Sequence, residues 1–114
     1  MDQFKGIIDA YMSNYNSFEK GKISFDCDYG ELIFYKENDN FLVLHGIYIF
    51  AEHRKKGLCR DILYYLIDQC TTKFKYFCVQ SVISKILYNY LLRFKYKNKK
   101  FKNTKSGFVY VIKN

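Results

Sequence analysis

The stretch His45-Gly46-Ile47-Tyr48-Ile49-Phe50-Ala51-Glu52-His53-Arg54-Lys55-Lys56-Gly57-Leu58-Cys59-Arg60 decides the fold. It opens as the end of an almost continuously apolar run, Phe41 to Phe50. Such a run is expected to be a strand at the centre of a sheet, covered on both faces. From Gly57 the period changes, and Leu58, Ile62, Leu63, Leu66 and Cys70 fall on one stripe of a helix. Arg60, Asp61 and Asp68 lie largely outside that stripe. A buried strand, a short basic loop and a helix thus follow one another. The first turn of a helix leaves backbone N–H groups without internal partners. The helix dipole adds about half a positive charge there, so the junction suits a phosphate or diphosphate. Gly57 lets the backbone approach an anion with no side chain in the way. Arg54, Lys55, Lys56 and Arg60 ring the same point, and each charge-assisted hydrogen bond is worth about 1.5–3 kcal/mol. The same residues would also make an ordinary solvated turn. The loop has neither the GxxxxGK(S/T) of a P-loop nor the GxGxxG of a dinucleotide site.

Upstream, Phe4, Ile7, Ile8, Tyr11 and Tyr15 recur at helical spacing, so the first fifteen residues read as an amphipathic helix. Ile23 to Asp28 alternates as a half-buried strand does. Tyr29-Gly30 reads as a turn, Glu31 to Lys36 as a second strand, and Glu37 to Asn40 as a polar turn. Downstream, Tyr76 to Val82 reads as a strand and Ser84 as an N-cap. Ile86, Leu87, Tyr90, Leu91 and Phe94 then make a second helical stripe. Phe101 and Gly107 to Ile112 read as one or two closing strands around a turn at Asn103 to Ser106. The order predicts an α/β fold with a mixed α+β sheet. Residues 1–114 are expected to form a single domain.

With 114 residues and about half of them apolar, the chain can bury one core. No apolar run reaches the roughly 18 residues that span a bilayer. The N-terminus lacks a signal-peptide pattern, so a cytoplasmic location is the expectation, the host cytoplasm if the source is viral. The absence of proline and the abundance of Lys, Asn, Tyr, Phe and Ile fit an A+T-rich coding genome, such as many viruses carry. Cys27, Cys59, Cys70 and Cys78 match no zinc spacing and read as free thiols, so no metal is expected. The net charge of +8 favours an anionic partner: a nucleic acid, an anionic membrane or a phosphorylated cofactor.

The junction resembles the diphosphate-binding motif of the GCN5-related N-acetyltransferases, Arg/Gln-x-x-Gly-x-Gly/Ala. Arg54, Gly57 and Cys59 take the three key positions, and Cys59 departs from the usual glycine or alanine while staying small. With its flanking strand and helices the likeness spans roughly half the chain. It implies a mostly antiparallel twisted sheet, splayed in the middle and flanked by helices. It also implies acetyl-CoA as cofactor. Amides from about Lys55 through Leu58 to Arg60 would hold the diphosphate. Ile47, Tyr48 and Ile49 would pair with the pantetheine arm, and Ser84 would hydrogen-bond it. The implied activity is transfer of acetyl to a primary amine of a protein, peptide or small molecule. The chain is shorter than typical members, with one N-terminal helix where two usually form part of the acceptor lid.

That chemistry needs a neutral amine, and at pH 7 the neutral form of a lysine-like amine costs about 4.6 kcal/mol. A general base offsets this. His45 is the candidate, because a histidine at the matching place serves so in some members; a structural histidine is the plain alternative. Strand alternation would set it on the face of Val43 and Ile47. His53 reads as a cofactor-side or solvent residue, and Asp28 or Glu31 could bring a carboxylate to the cleft. The family's acid is a tyrosine of the second helix, but that position falls on Leu91, so Tyr90 or Tyr88 would have to substitute. Asp26 and Asp28 could attract a basic acceptor. The competing readings are a fold kept for interaction after loss of catalysis, and a nucleic-acid-binding module. The last rests on Lys95 to Lys105, where six lysines interleave with Tyr96 and Phe101. A charged hairpin keeping a sheet edge soluble explains the same residues. A monomer is expected, or a homodimer through Gly107 to Ile112.

Overall fold

The computed structural model describes residues 1–71 and 73–113. A first helix, α1 (Asp2–Ser13), leads into β1 (Gly21–Cys27), β2 (Gly30–Lys36) and β3 (Phe41–Ile49). Then come α2 (Leu58–Cys70), β4 (Tyr76–Val79) and α3 (Lys85–Arg93). A small hairpin, β5 (Lys95–Tyr96) with β6 (Lys99–Lys100), precedes β7 (Lys102–Thr104) and β8 (Gly107–Val111). Six strands make one sheet in the order β1-β2-β3-β4-β8-β7. Only β3 and β4 run parallel. Parallel neighbours need a crossover, and α2 supplies it.

All three helices cover one face of the sheet. On α1, Phe4, Ile8 and Tyr11 are buried at i, i+4, i+7, and Tyr11 stacks on Phe34 of β2 at 4.1 Å between ring centroids. Leu32, Phe34, Leu42, Leu44, Phe77, Val79, Phe108 and Tyr110 share that face. They form one core with Ile62, Leu63, Leu66 and Ile67 of α2 and Leu91 of α3. The opposite face carries Ile33, Tyr35, Val43, His45 and Tyr48. β3 is central, as its apolar run required, and Leu42, Val43 and Leu44 are all buried, so both faces of the strand are covered over that stretch. From His45 onward the strand is half-buried or exposed.

Pairing of β2 with β3 shifts between Ile33, opposite Gly46, and Phe34, opposite Leu44. His45 is therefore the extra residue of a β-bulge. The bulge breaks the alternation expected across it. His45 stays on the face of Val43, away from the helices, its ring 5.9 Å from that of Tyr35. Ile47, opposite Leu32, turns to the helices instead.

Strand β4 is shorter than its apolar run, which reaches Val82. The last rung is Gln80 N–H to the Leu44 carbonyl at 3.0 Å. Ser81, at φ 55°, then turns the chain away. The lysine-rich stretch does form a charged hairpin, but β5 and β6 pair only with each other, apart from the six-stranded sheet. Its turn residues, Lys97 and Asn98, both adopt positive φ, 51° and 61°, as a tight two-residue turn requires. Strand β8 lies between β4 and β7, and β7 pairs with Gly107 to Val109. No helix among the described residues is long and apolar enough to cross a membrane.

Candidate functional site

The parallel pairing of β3 and β4 covers only Phe41 to Leu44 against Tyr76 to Val79. Beyond it, β3 continues along β2 to Ile49, while the chain after β4 leaves for α3. The resulting wedge is a cavity of about 530 Å³. One wall is Ile47, Tyr48 and Ile49, the floor is Arg54 and Cys59, and α3 supplies Ser84, Ile86, Leu87, Tyr90 and Arg93. On the cavity side the β3 backbone has no partner strand, so its peptide groups form a free edge.

The start of α2 closes the cavity. Gly57 caps it at φ 77°, with no side-chain cap, and the first helical bond runs from the Asp61 N–H to the Gly57 carbonyl at 3.0 Å. The amides of Leu58, Cys59 and Arg60 precede that bond and are intrinsically unpartnered. Lys55 also has positive φ, 65°. Two left-handed residues in three positions curl the loop into a concavity of N–H groups. Arg54 is pinned by its Nε, which donates to the Ile49 carbonyl at 2.8 Å. Its guanidinium lies over the Tyr48 ring, 5.4 Å from the centroid. Among the described residues its terminal nitrogens have no hydrogen-bond partner. Arg60 folds back over Gly57 and pairs with Asp61 at 3.1 Å. Lys55 and Lys56 are exposed and are not part of the cavity wall. Leu58 packs against the core. Cys59 sits at the bottom of the wedge, where burial pushes its thiol up to about 11.

Ser84 caps α3 by accepting from the Leu87 N–H at 3.3 Å, and it also lines the wedge. Tyr90 lines it too. Burial first, then the neighbouring Cys59 and Tyr64, push its hydroxyl up to about 12. Leu91, at the position of the expected acid, is a buried core residue. Tyr88 does not join Tyr90. It lines a second cavity, of about 420 Å³, on the β7–β8 side of the segment that leaves β4. There its hydroxyl accepts from Asn103 Nδ2 at 2.7 Å. The two tyrosines are two residues apart on a helix, about 200° around its axis.

His45 lines neither cavity. Its Nε2 lies 3.4 Å from the Ser81 hydroxyl, and Ser81 lines the second cavity. His53 does not line the wedge. It packs on Tyr29, with ring centroids 4.5 Å apart, and its Nδ1 is buried without a partner. Asp28 is held at the β1–β2 turn, accepting from Gln3 Nε2 at 3.0 Å, and so brings no carboxylate to the cleft. Asp26 pairs with Glu31 across β1 and β2 instead. Partial desolvation, then the Asp26 carboxyl, raise Glu31 above the ordinary carboxylate range.

The lysine-rich tail has lost the aromatic half of its nucleic-acid signature. Tyr96 stacks on Tyr64 at 4.1 Å and its hydroxyl donates to Asp68. Phe101 packs against the core. Lys97 pairs with Asp68 at 2.8 Å, and Lys99 Nζ donates to the Val111 carbonyl at 3.1 Å. Ring faces used this way are not available to bases.

Ile86 and Arg93 belong to the site but escaped the reading of the sequence. Ile86, Tyr90 and Arg93 are spaced i, i+4, i+7, a stripe distinct from the buried Leu91 and Phe94. The apolar Ile86 and Leu87 fit either stripe, which hid the division. No protein-family model and no curated protein matches this sequence.

Proposed function

We propose that this chain is a small N-acetyltransferase that binds acetyl-CoA in the wedge between β3 and α3. The observation that carries the reading is the convergence of three features at one place. A parallel pair opens after four residues. An apolar-walled cavity of about 530 Å³ fills the opening. A glycine-capped helix start with Arg54 beside it closes the end. A long apolar-stemmed molecule carrying a diphosphate fits this sequence of surfaces. The strand order, and the splay at its centre, also support the likeness to the GCN5-related N-acetyltransferases.

Acetyl-CoA supplies an activated thioester; the chain supplies placement. The free edge of β3 offers N–H and C=O groups to the amides of a pantetheine arm, as a neighbouring strand would. The first-turn amides of α2 and the Arg54 guanidinium hold the diphosphate. His45, displaced by its bulge at the split, would take the proton of an incoming amine in the second cavity through Ser81, which lines that cavity and lies 3.4 Å from its Nε2. Bulges recur next to active sites because they re-aim a side chain in this way.

A second reading has its own observation. The acid position is the buried Leu91, and the Tyr90 hydroxyl, pushed up to about 12, gives up its proton reluctantly. An acetyl-CoA-binding module without turnover fits those two facts. Calorimetry with acetyl-CoA tests what both readings share: micromolar binding by the wild type supports them, and no binding at millimolar ligand removes them. Thiol release with a panel of amines then separates enzyme from module.

A further inference from the structure

We infer that Arg93 forms a second anion subsite, at the outer end of the wedge, for the 3′-phosphomonoester on the ribose of coenzyme A. This rests on the coenzyme A reading above and extends it beyond the diphosphate.

Helix α3 forms one long wall. Ser84 caps one end, Arg93 is the last helical residue, and nine residues of helix rise about 14 Å. The wall is graded along this length. Ser84, Ile86 and Leu87 face the apolar β3 residues Ile47 and Ile49. Tyr90 comes next and lines the wedge together with Cys59, in the first turn of α2. Arg93 is one turn farther out. A ligand whose diphosphate rests on the α2 amides and whose stem runs back toward Ser84 must send its remaining part toward Arg93. In coenzyme A that part is the adenosine with its phosphomonoester.

Arg93 is otherwise without an assigned partner. Among the described residues the ion pairs are Arg60 with Asp61 and Lys97 with Asp68, and no carboxylate lies within 4 Å of Arg93. Arg54 is already fixed on the Ile49 carbonyl at the diphosphate level. A free guanidinium on the rim of an apolar cavity presents a planar fork of donors that matches a phosphate. Arg93 also suits the negative end of the α3 dipole. That structural role predicts a small loss of stability on substitution and no change in ligand preference.

The test compares binding of coenzyme A and 3′-dephospho-coenzyme A by calorimetry, for the wild type, Arg93→Gln and Arg93→Lys. Melting curves check that the variants are folded. The wild type is expected to prefer coenzyme A by about tenfold, as one exposed charge-assisted pair allows. Arg93→Gln brings the ratio to within about twofold of unity, and Arg93→Lys keeps part of it. A ratio unchanged in Arg93→Gln, or a wild type that binds both ligands equally, overturns the subsite and leaves the wedge reading standing. A wild type that binds neither ligand overturns both.

Discussion

Gly57 offers a sharp test, because two substitutions there share a backbone cost and differ in charge. Its φ of 77° is left-handed, which disfavours any L residue by about 1–2 kcal/mol. A Cβ at this position would lie 2.8 Å from Nη2 of Arg60. That contact is with the end of a flexible side chain, whose pairing with Asp61 is exposed and worth at most about 1 kcal/mol. Gly57→Ala and Gly57→Glu should therefore both lose about 1–2 kcal/mol, a fall in Tm of roughly 4–10 °C for a domain of this size. Binding should separate them. A carboxylate about 6 Å from a bound phosphate repels it by about 3 kcal/mol at an effective dielectric constant near 20. After salt screening, about 2 kcal/mol remains, or roughly thirtyfold in Kd. Acetyl-CoA affinity measured by calorimetry at 0.1 M salt should fall about thirtyfold for Gly57→Glu relative to Gly57→Ala. Equal affinities for the two variants would refute an anion site at the start of α2.

Four further outcomes follow from the same structure. If His45 takes the proton of the acceptor, His45→Gln should slow thiol release by about a hundredfold while leaving acetyl-CoA binding within twofold; an unchanged rate removes the assignment. Gly6 lies exposed in α1 with nothing within 4 Å of a Cβ, so Gly6→Ala should stabilise by about 0.5–1 kcal/mol in urea titration. At Gly30 a Cβ would overlap the Tyr48 carbonyl oxygen; Gly30→Ala should cost about 3 kcal/mol or more, because backbone cannot yield. For Tyr90 the folded state favours the protonated phenol, its value moving from the ordinary 10 up to about 12. The stabilisation is complete below pH 10 and is lost as the pH rises through 12. Urea midpoints over that interval should fall less steeply in Tyr90→Phe than in the wild type.

Reading along the chain placed the elements well where burial has a period. The stripes of α1 and α2, the strands β1 to β3, the Ser84 cap and the αL glycine at the α2 start all follow from local pattern. Such features are settled within a few residues by side-chain spacing and backbone sterics. The lysine-rich stretch reads as a hairpin, and its tight turn falls at Lys97 and Asn98, where Asn98 tolerates positive φ. The two-sided burial of β3 holds from Leu42 to Leu44 but not from His45 to Ile49, where the apolar run looks the same in sequence although no β4 partner lies alongside.

The chain by itself determined a basic, glycine-opened junction between a central strand and a helix, because those properties belong to neighbouring residues. Only the tertiary structure decided that β3 and β4 part after four rungs and that a bulge sets His45 beside Tyr35 on the face away from the helices. It alone sent Tyr88 and Tyr90 into different cavities and brought Arg93 to the same wedge as Arg54. Each of these depends on strand register and helix rotation, which are fixed when distant segments pack together and not by any one segment's composition.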